Sequence, residues 1–269
     1  MSGTVRENAT ALRARLDERR SGPGLLELSG ELFAVADLIG GDAQLRMALS
    51  DAGQPAQTRV GLATTLFGGK VSPVAVEVLG DIVSQRWSNP EDLVDVTEEL
   101  AAQAAFISAE QAGDLDSVEA QLFTFERAVS GSADLQMALT DPSVGTAQKA
   151  GLIGSLLSGQ ADAATIEVLR YAMSHLRGRR VDMVMDELID IAGEQRDRSV
   201  AEVRVARPLD DDQATRLAAV LTRLHGREVR LNVAVEPDVV GGISVRIGSE
   251  VVDATVATRI EQARRAMVG

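Results

Sequence analysis

Cysteine is absent from the sequence, which removes disulfides, thiolate nucleophiles and cysteine-based metal sites together. That absence fits a cytosolic chain. Histidine occurs only at His175 and His225. They fall in different expected domains, with no HExxH spacing and no third ligand, so nothing points to a zinc site. The phosphate-cradling GxxxxGK[ST] loop is missing, as is the GxSxG elbow of serine hydrolases. Aromatics make up only 3% of the residues. The cores must therefore be built from Leu, Val, Ile, Ala and Met, a palette that favours closely packed helices over a β-sandwich. No apolar run approaches the roughly 20 residues that span a bilayer, and the charged start MSGTVRENATALRARLDERR lacks the apolar centre of a signal peptide. No direct membrane insertion is expected. Basic residues are also short, with a formal net charge of −13, which argues against nucleic-acid binding and opposes adsorption to anionic lipid.

What is present is an internal repeat. Leu45-Arg46-Met47-Ala48-Leu49-Ser50-Asp51 returns 90 residues later as Leu135-Gln136-Met137-Ala138-Leu139-Thr140-Asp141. The same offset superposes Leu32-Phe33 on Leu122-Phe123, Gly61-Leu62 on Gly151-Leu152, and Glu77-Val78-Leu79 on Glu167-Val168-Leu169. Shared amphipathicity would match apolar classes, but it would not also align Asp51 with Asp141 and Glu77 with Glu167. The repeat is a duplicated domain. Within each copy the period is helical. Val118, Leu122, Phe125 and Val129 share one face, and Leu28, Leu32 and Val35 do so in the first copy. Breaks at Gly40-Gly41, Pro55, Gly68-Gly69, Gly131, Pro142 and Gly159 divide each copy into five or six short helices. The last is longer, starting near Pro90 in one copy and near Val181 in the other.

Between Trp87 and Glu126 there is no Lys or Arg, but there are ten acids, among them Glu91, Asp95, Glu98 and Glu99. This stretch reads as a solvated helix face and linker, or as a docking surface for a basic segment. Arg170, Arg177, Arg179 and Arg180 offer such a counterpart within the chain. After residue 200 the pattern changes to period two in Val200-Ala201-Glu202-Val203-Arg204-Val205-Ala206, a half-buried strand. Asp210-Asp211-Asp212 suits a helix N-terminus, and that helix ends at Gly226. Strands follow over 229–235 and 242–247 and at Val251-Val252, then a helix over 254–267. Gly241-Gly242 lies between two strands, which predicts a hairpin turn rather than a dinucleotide fingerprint. The fold expected is mainly α: a helical bundle over 1–115, a second over 116–199, and a small α+β domain over 200–269.

The stretch Val229-Arg230-Leu231-Asn232-Val233-Ala234-Val235-Glu236-Pro237-Asp238-Val239-Val240-Gly241-Gly242-Ile243-Ser244-Val245-Arg246-Ile247-Gly248 resembles the signature of the ATP synthase delta family, which includes the mitochondrial oligomycin-sensitivity-conferring protein. Asp253 lies in a second matching segment, where Ala254 and Thr255 replace the family's Gly and Ser. The resemblance covers roughly 115–267, and the longer chain looks like actinobacterial members of the family. It implies a non-catalytic peripheral-stalk subunit with no cofactor, attached to the cytoplasmic face of the plasma membrane within the synthase. The implied partners are the N-terminal helix of the alpha subunit, held between the first and fifth helices of a bundle, and the end of a separate b subunit. The groove would be lined in the second bundle by Val118, Leu122, Phe125, Ile166, Leu169 and Met173. Without the resemblance, the same six residues read as the bundle's own core. The competing reading of the whole chain is a helical-repeat adaptor unrelated to ATP synthase.

Overall fold

The structure is a computed structural model that describes residues 3–253 apart from 21, 23, 199, 226–228, 237–242 and 248–249. Eleven helices come first: α1 (Gly3–Glu18), α2 (Leu25–Gly41), α3 (Ala43–Ser50), α4 (Ala56–Phe67), α5 (Pro73–Ser84), α6 (Pro90–Ala112), α7 (Leu115–Ser130), α8 (Ala133–Thr140), α9 (Thr146–Leu157), α10 (Ala163–Ser174) and α11 (Val181–Arg198). The starts of α2 to α5 recur 90 residues on as those of α7 to α10, and the start of α6 at Pro90 recurs 91 residues on as that of α11 at Val181.

Local chemistry sets these boundaries. Asp42 caps α3 by accepting from the Gln44 and Leu45 amides, and Ser132 caps α8 at the equivalent place by accepting from Leu135. At α6, Pro90 takes the first helical position, the Asn89 side chain accepts from the Glu91 amide, and the Asp92 carboxylate accepts from the Asn89 amide. The helix stops at Gly113, whose φ of 82° is left-handed and favours glycine. Only Gly113 and Asp114 separate α6 from α7.

Residues 87–126 were expected to be a solvated face and linker. Their central part is instead the most enclosed helix among the described residues. Helix α6 packs against α1, α2, α3, α5, α7 and α10, with α2 its most extensive partner. Ala101, Ala102, Ala104 and Ala105 let these neighbours approach, and Phe106 and Ile107 fill the space between. The ten acids concealed this at the sequence level, because several of them are paired rather than solvated. Arg13 pairs with Glu99, and Arg20 with Glu110 at 2.8 Å. Gln103 and Gln111 of α6 donate to the carbonyls of Arg13 and Arg20. Helix α1 is thereby fixed along α6.

Residues Met1–Ala192 form one compact unit and Gly193–Gly269 a second. In the first, a continuous apolar core runs from Val5 to Ala192. In the second, strands β1 (Val200–Val205), β2 (Arg230–Val235), β3 (Ile243–Ile247) and β4 (Glu250–Asp253) form a sheet in the order β2-β1-β3-β4. Helix α12 (Asp211–His225) connects β1 to its parallel neighbour β2. Asp210 begins α12 with a reciprocal cap, accepting from the Gln213 amide while the Gln213 side chain accepts from its own. Ala201, Val203 and Val205 alternate inward to meet Leu221, Val245 and Ile247.

This order corrects the expected hairpin. β2 and β3 do not pair with each other, because β1 lies between them, parallel to β2 and antiparallel to β3. Sequence neighbourhood cannot reveal that an earlier strand inserts between two later ones. The antiparallel neighbours that follow in sequence are β3 and β4. Gly226, Gly241, Gly242, Gly248 and the expected helix over 254–267 lie outside the described residues, while Asp253 ends β4.

One buried cation ties the first copy together. Arg59 is 3% exposed, and its guanidinium donates to the carbonyls of Asp51, Gln54, Val83, Ser84 and Gln85. It therefore joins the loop after α3 to the end of α5, a task suited to a planar five-donor group. Replacing Arg59 with Ala strands these acceptors, and should lower the unfolding free energy by about 3 kcal/mol in urea titration. A loss below about 1 kcal/mol would show that water satisfies the carbonyls equally well.

Candidate interaction site

The apolar stripes of α7 and α10 face each other because Val118, Leu122 and Phe125 recur at helical spacing, as do Leu169 and Met173. The structure buries all five: Val118, Leu122, Leu169 and Met173 are fully enclosed, and Phe125 is nearly so. Ile166 alone remains partly exposed. Without a partner present, these five pack into the core of the second copy, with Ile166 at its edge. Burial on this scale needs no partner, since the chain's own helices close over them. The exposed large apolar side chains of this copy are Phe123, Met137, Leu156 and Met183.

A second constellation forms where the two copies meet. Phe33 of α2 stacks on Tyr171 of α10 with ring centroids 4.2 Å apart, and His175 stacks on the other side at 4.1 Å. The His175 Nε2 lies 2.9 Å from Asp37 of α2, while its Nδ1 faces the Tyr171 carbonyl at 3.0 Å. The helices pass so closely that a Cβ on Gly30 would sit 3.1 Å from Glu167 Oε1. The turn after α10 then folds over α6. Arg177, in a left-handed conformation with φ 49°, donates to Asp95 at 2.6 Å and to Glu98 at 2.7 Å. Arg179 reaches Glu98 at 3.1 Å, and the Tyr171 hydroxyl donates to the same carboxylate at 3.0 Å.

Sequence reading singled out the acids and the arginines as possible counterparts but could not pair them. Of the four arginines, Arg177 and Arg179 meet the acids of α6. Arg170 lies beside Gly154, and Arg180 pairs with its neighbour Asp182. The aromatic stack escaped notice, although Leu32-Phe33 and Leu122-Phe123 were aligned. The signal would have been the lone Tyr171 in a chain with so few aromatics.

The constellation is adhesive in character. Burial is the main influence on Glu98 and raises its carboxyl above the ordinary range, against the lowering pull of Arg177, Arg179 and the Tyr171 hydroxyl; Asp95 adds to the rise. Burial also raises the Tyr171 hydroxyl, with Glu98 beside it. Among the described residues no group of three or more His, Asp or Glu side chains is placed to hold a metal, and no helix is long and apolar enough to cross a membrane.

Such a body, helices joined by buried contacts with a small sheet unit after them, belongs to the class of helical connector proteins. Comparison with known proteins specifies the family. The family model described as ATP synthase delta (OSCP) subunit matches residues 101–267, beginning inside α6. ATP synthase subunit delta of Parafrankia sp. is 40% identical, with 99% of each chain covered. The subunit delta of Streptomyces avermitilis is also 40% identical, with 98% of each covered, and that of Thermobifida fusca is 36% identical over the whole of both. A chain of the Toxoplasma gondii mitochondrial ATP synthase hexamer aligns at 21% identity over 64% of this chain and 97% of its own, with a TM-score of 0.35, so the assignment rests on sequence. The chain belongs to the ATP synthase delta (OSCP) family, whose members are structural subunits and not the catalysts of the synthase. This displaces the reading as an unrelated helical adaptor.

The buried carboxyl makes a signed prediction. With its native value raised above 4.5, Glu98 favours the folded state most when protonated, so its contribution is complete below that pH and declines as pH rises through the native value. The unfolding free energy of the unaltered chain minus that of Glu98→Gln should therefore fall from about pH 4 to about pH 8 in urea titrations. A difference that grows with pH would mean that the arginines, and not burial, dominate this site.

Proposed function

We propose that this chain is a stator subunit of an F-type ATP synthase, linking the alpha/beta catalytic head to a b-subunit stalk and resisting rotor torque. Its place would be the cytoplasmic face of the plasma membrane, as a peripheral part of the complex. The observation that carries the reading, beside family membership, is the shared packing of the two copies around α6. A connector under torque transmits load only if its parts do not swivel. Here one 23-residue helix, about 35 Å long, packs against helices of both copies with no flexible linker between them.

The division of labour follows the chain. The copies over 1–115 and 116–199 would face the alpha subunit's N-terminal helix, and the part over 200–269 would grip the end of the b subunit. In the second unit Val233 and Val235 of the edge strand β2 stay exposed, as do Val220 and Leu224 of α12. An apolar edge of this kind is what a stalk helix would cover.

The test is functional reconstitution. Membranes holding the synthase's other subunits but lacking this chain should hydrolyse ATP through the head while pumping no protons. Adding the chain back should restore ATP-driven pumping. Full coupling without the chain would sink the proposal.

A further inference from the structure

The two copies match in sequence and in helix order, yet one enclosed cation of the first has no counterpart in the second. Arg46 of α3 lays its guanidinium against the C-terminal end of α2, donating to the carbonyls of Ile39 at 3.2 Å and Gly40 at 2.7 Å. Its other terminal nitrogen pairs at 2.9 Å with Glu91, in the first turn of α6. The Arg46 side chain is only 15% exposed. A helix C-terminus and a nearby carboxylate together make a cation site, and in the first copy the chain fills that site from within.

In the second copy Gln136 stands where Arg46 stands in the first. Its carboxamide is shorter and carries no charge. A cleft of about 280 Å³ opens at this place, lined by the matching residues. Val129 and Ser130, the equivalents of Ile39 and Gly40, line it at the C-terminal end of α7. Asp182, the equivalent of Glu91, lines it in the first turn of α11. The positions that surround a guanidinium in one copy thus surround open space in the other. Glu126 adds a carboxylate where the first copy has Ala36. It is half-buried and forms no ion pair with another described residue. Arg180, at the rim, is 76% exposed and is engaged by Asp182, its Nε 3.0 Å from Oδ1. Arg180 and Asp182 offset each other, so Glu126 leaves the cleft with a net negative charge.

We infer that this cleft is a receptor for a guanidinium group, carried on an arginine side chain of a partner chain. The first copy supplies the argument for the occupant, because the same positions there hold a guanidinium and no other group. The incoming arginine would donate to the carbonyls of Val129 and Ser130 on one side and to Glu126 on the other. A planar fork of donors suits that divided set of acceptors, whereas an ammonium presents a single point charge. Free arginine fits less well, since its own carboxylate would approach Glu126. The inference is independent of the stator reading, because it compares one copy of the bundle with the other.

Nuclear magnetic resonance of the full-length chain, titrated with Nα-acetyl-arginine amide at low salt, tests this. Saturable shifts should appear at Glu126, Gln136 and Thr140, with a dissociation constant on the order of 10 mM. The uncharged isostere Nα-acetyl-citrulline amide should cause none, and Nα-acetyl-lysine amide should bind more weakly. Glu126→Gln should weaken binding at least about fivefold. Gln136→Arg, which installs the first copy's residue, should abolish binding by filling the cleft from within. No saturable shift, equal binding of the citrulline or lysine probe, or an affinity that survives both substitutions would overturn the site. Free arginine binding as tightly as the capped probe would overturn the assignment to a partner chain.

Discussion

The burial of α6 is the constraint on which the rest of the first unit depends. A helix enclosed on most sides cannot move without disturbing every neighbour, because a close-packed interior resists small displacements. This one serves two bundles, closing the first and opening the second. Its alanines are what make the double role possible. A larger side chain at Ala101 or Ala105 would push neighbouring helices apart, and overpacking of that kind costs about 1–3 kcal/mol per site. Charge on α6 is then confined to its margins, where Glu91, Asp95, Glu98, Glu99 and Glu110 meet arginines from α1 and the turn after it, from α3 and from the turn after α10.

Those ion pairs should not be counted as the main source of stability. Desolvation of Glu98 opposes the attraction of its two arginines, and a partly buried pair of this kind contributes little net energy. Geometry is the larger contribution. A carboxylate receiving Arg177, Arg179 and Tyr171 together fixes the turn after α10 over α6 in one orientation. Apolar contact supplies the adhesion. Phe33 is 4% exposed and its counterpart Phe123 is 47% exposed, a difference in burial worth on the order of 1 kcal/mol or more. The same residue thus holds the copies together in one place and marks an uncovered end in the other.

Much of this was legible in the sequence, and the limits have physical causes. The offset of 90 residues foretold the helix starts because caps and breakers were copied along with the apolar stripes: Asp42 and Ser132 both cap, and Pro90 starts a long helix where Val181 starts another. The inward faces of α2 and α7 followed from periodicity. Periodicity cannot, however, separate a core stripe from a groove lining, which is why Val118 and Leu169 were candidates for both. It also fails for a helix buried on all sides, which loses its amphipathic pattern. Helix α6 hid behind its acids for that reason. The pairing of Arg177 with Asp95 and Glu98 spans some eighty positions of chain, a distance over which charge patterns carry no register. In the sheet, alternation placed β1 correctly but held no information on its order between β2 and β3.

A stack built from repeats must also stop, or it grows. The operation that sets α2 across α6 and α10 would, between two molecules, set α7 of one across α1 and α5 of another. Phe123 would then stand where Phe33 stands, but over Asp81 in place of Tyr171, and Arg127 would replace Asp37 opposite Gln85 in place of His175. The ring would lose its stacking partner and would cover the clasp of Arg15 and Arg19 on Asp81, leaving charges desolvated without apolar gain. The duplicated surfaces therefore differ at the positions that a second joint of this kind would need. Divergence at Asp81 and Tyr171 thus confines the aromatic joint to one of the two equivalent places, with an ion-pair clasp at the other.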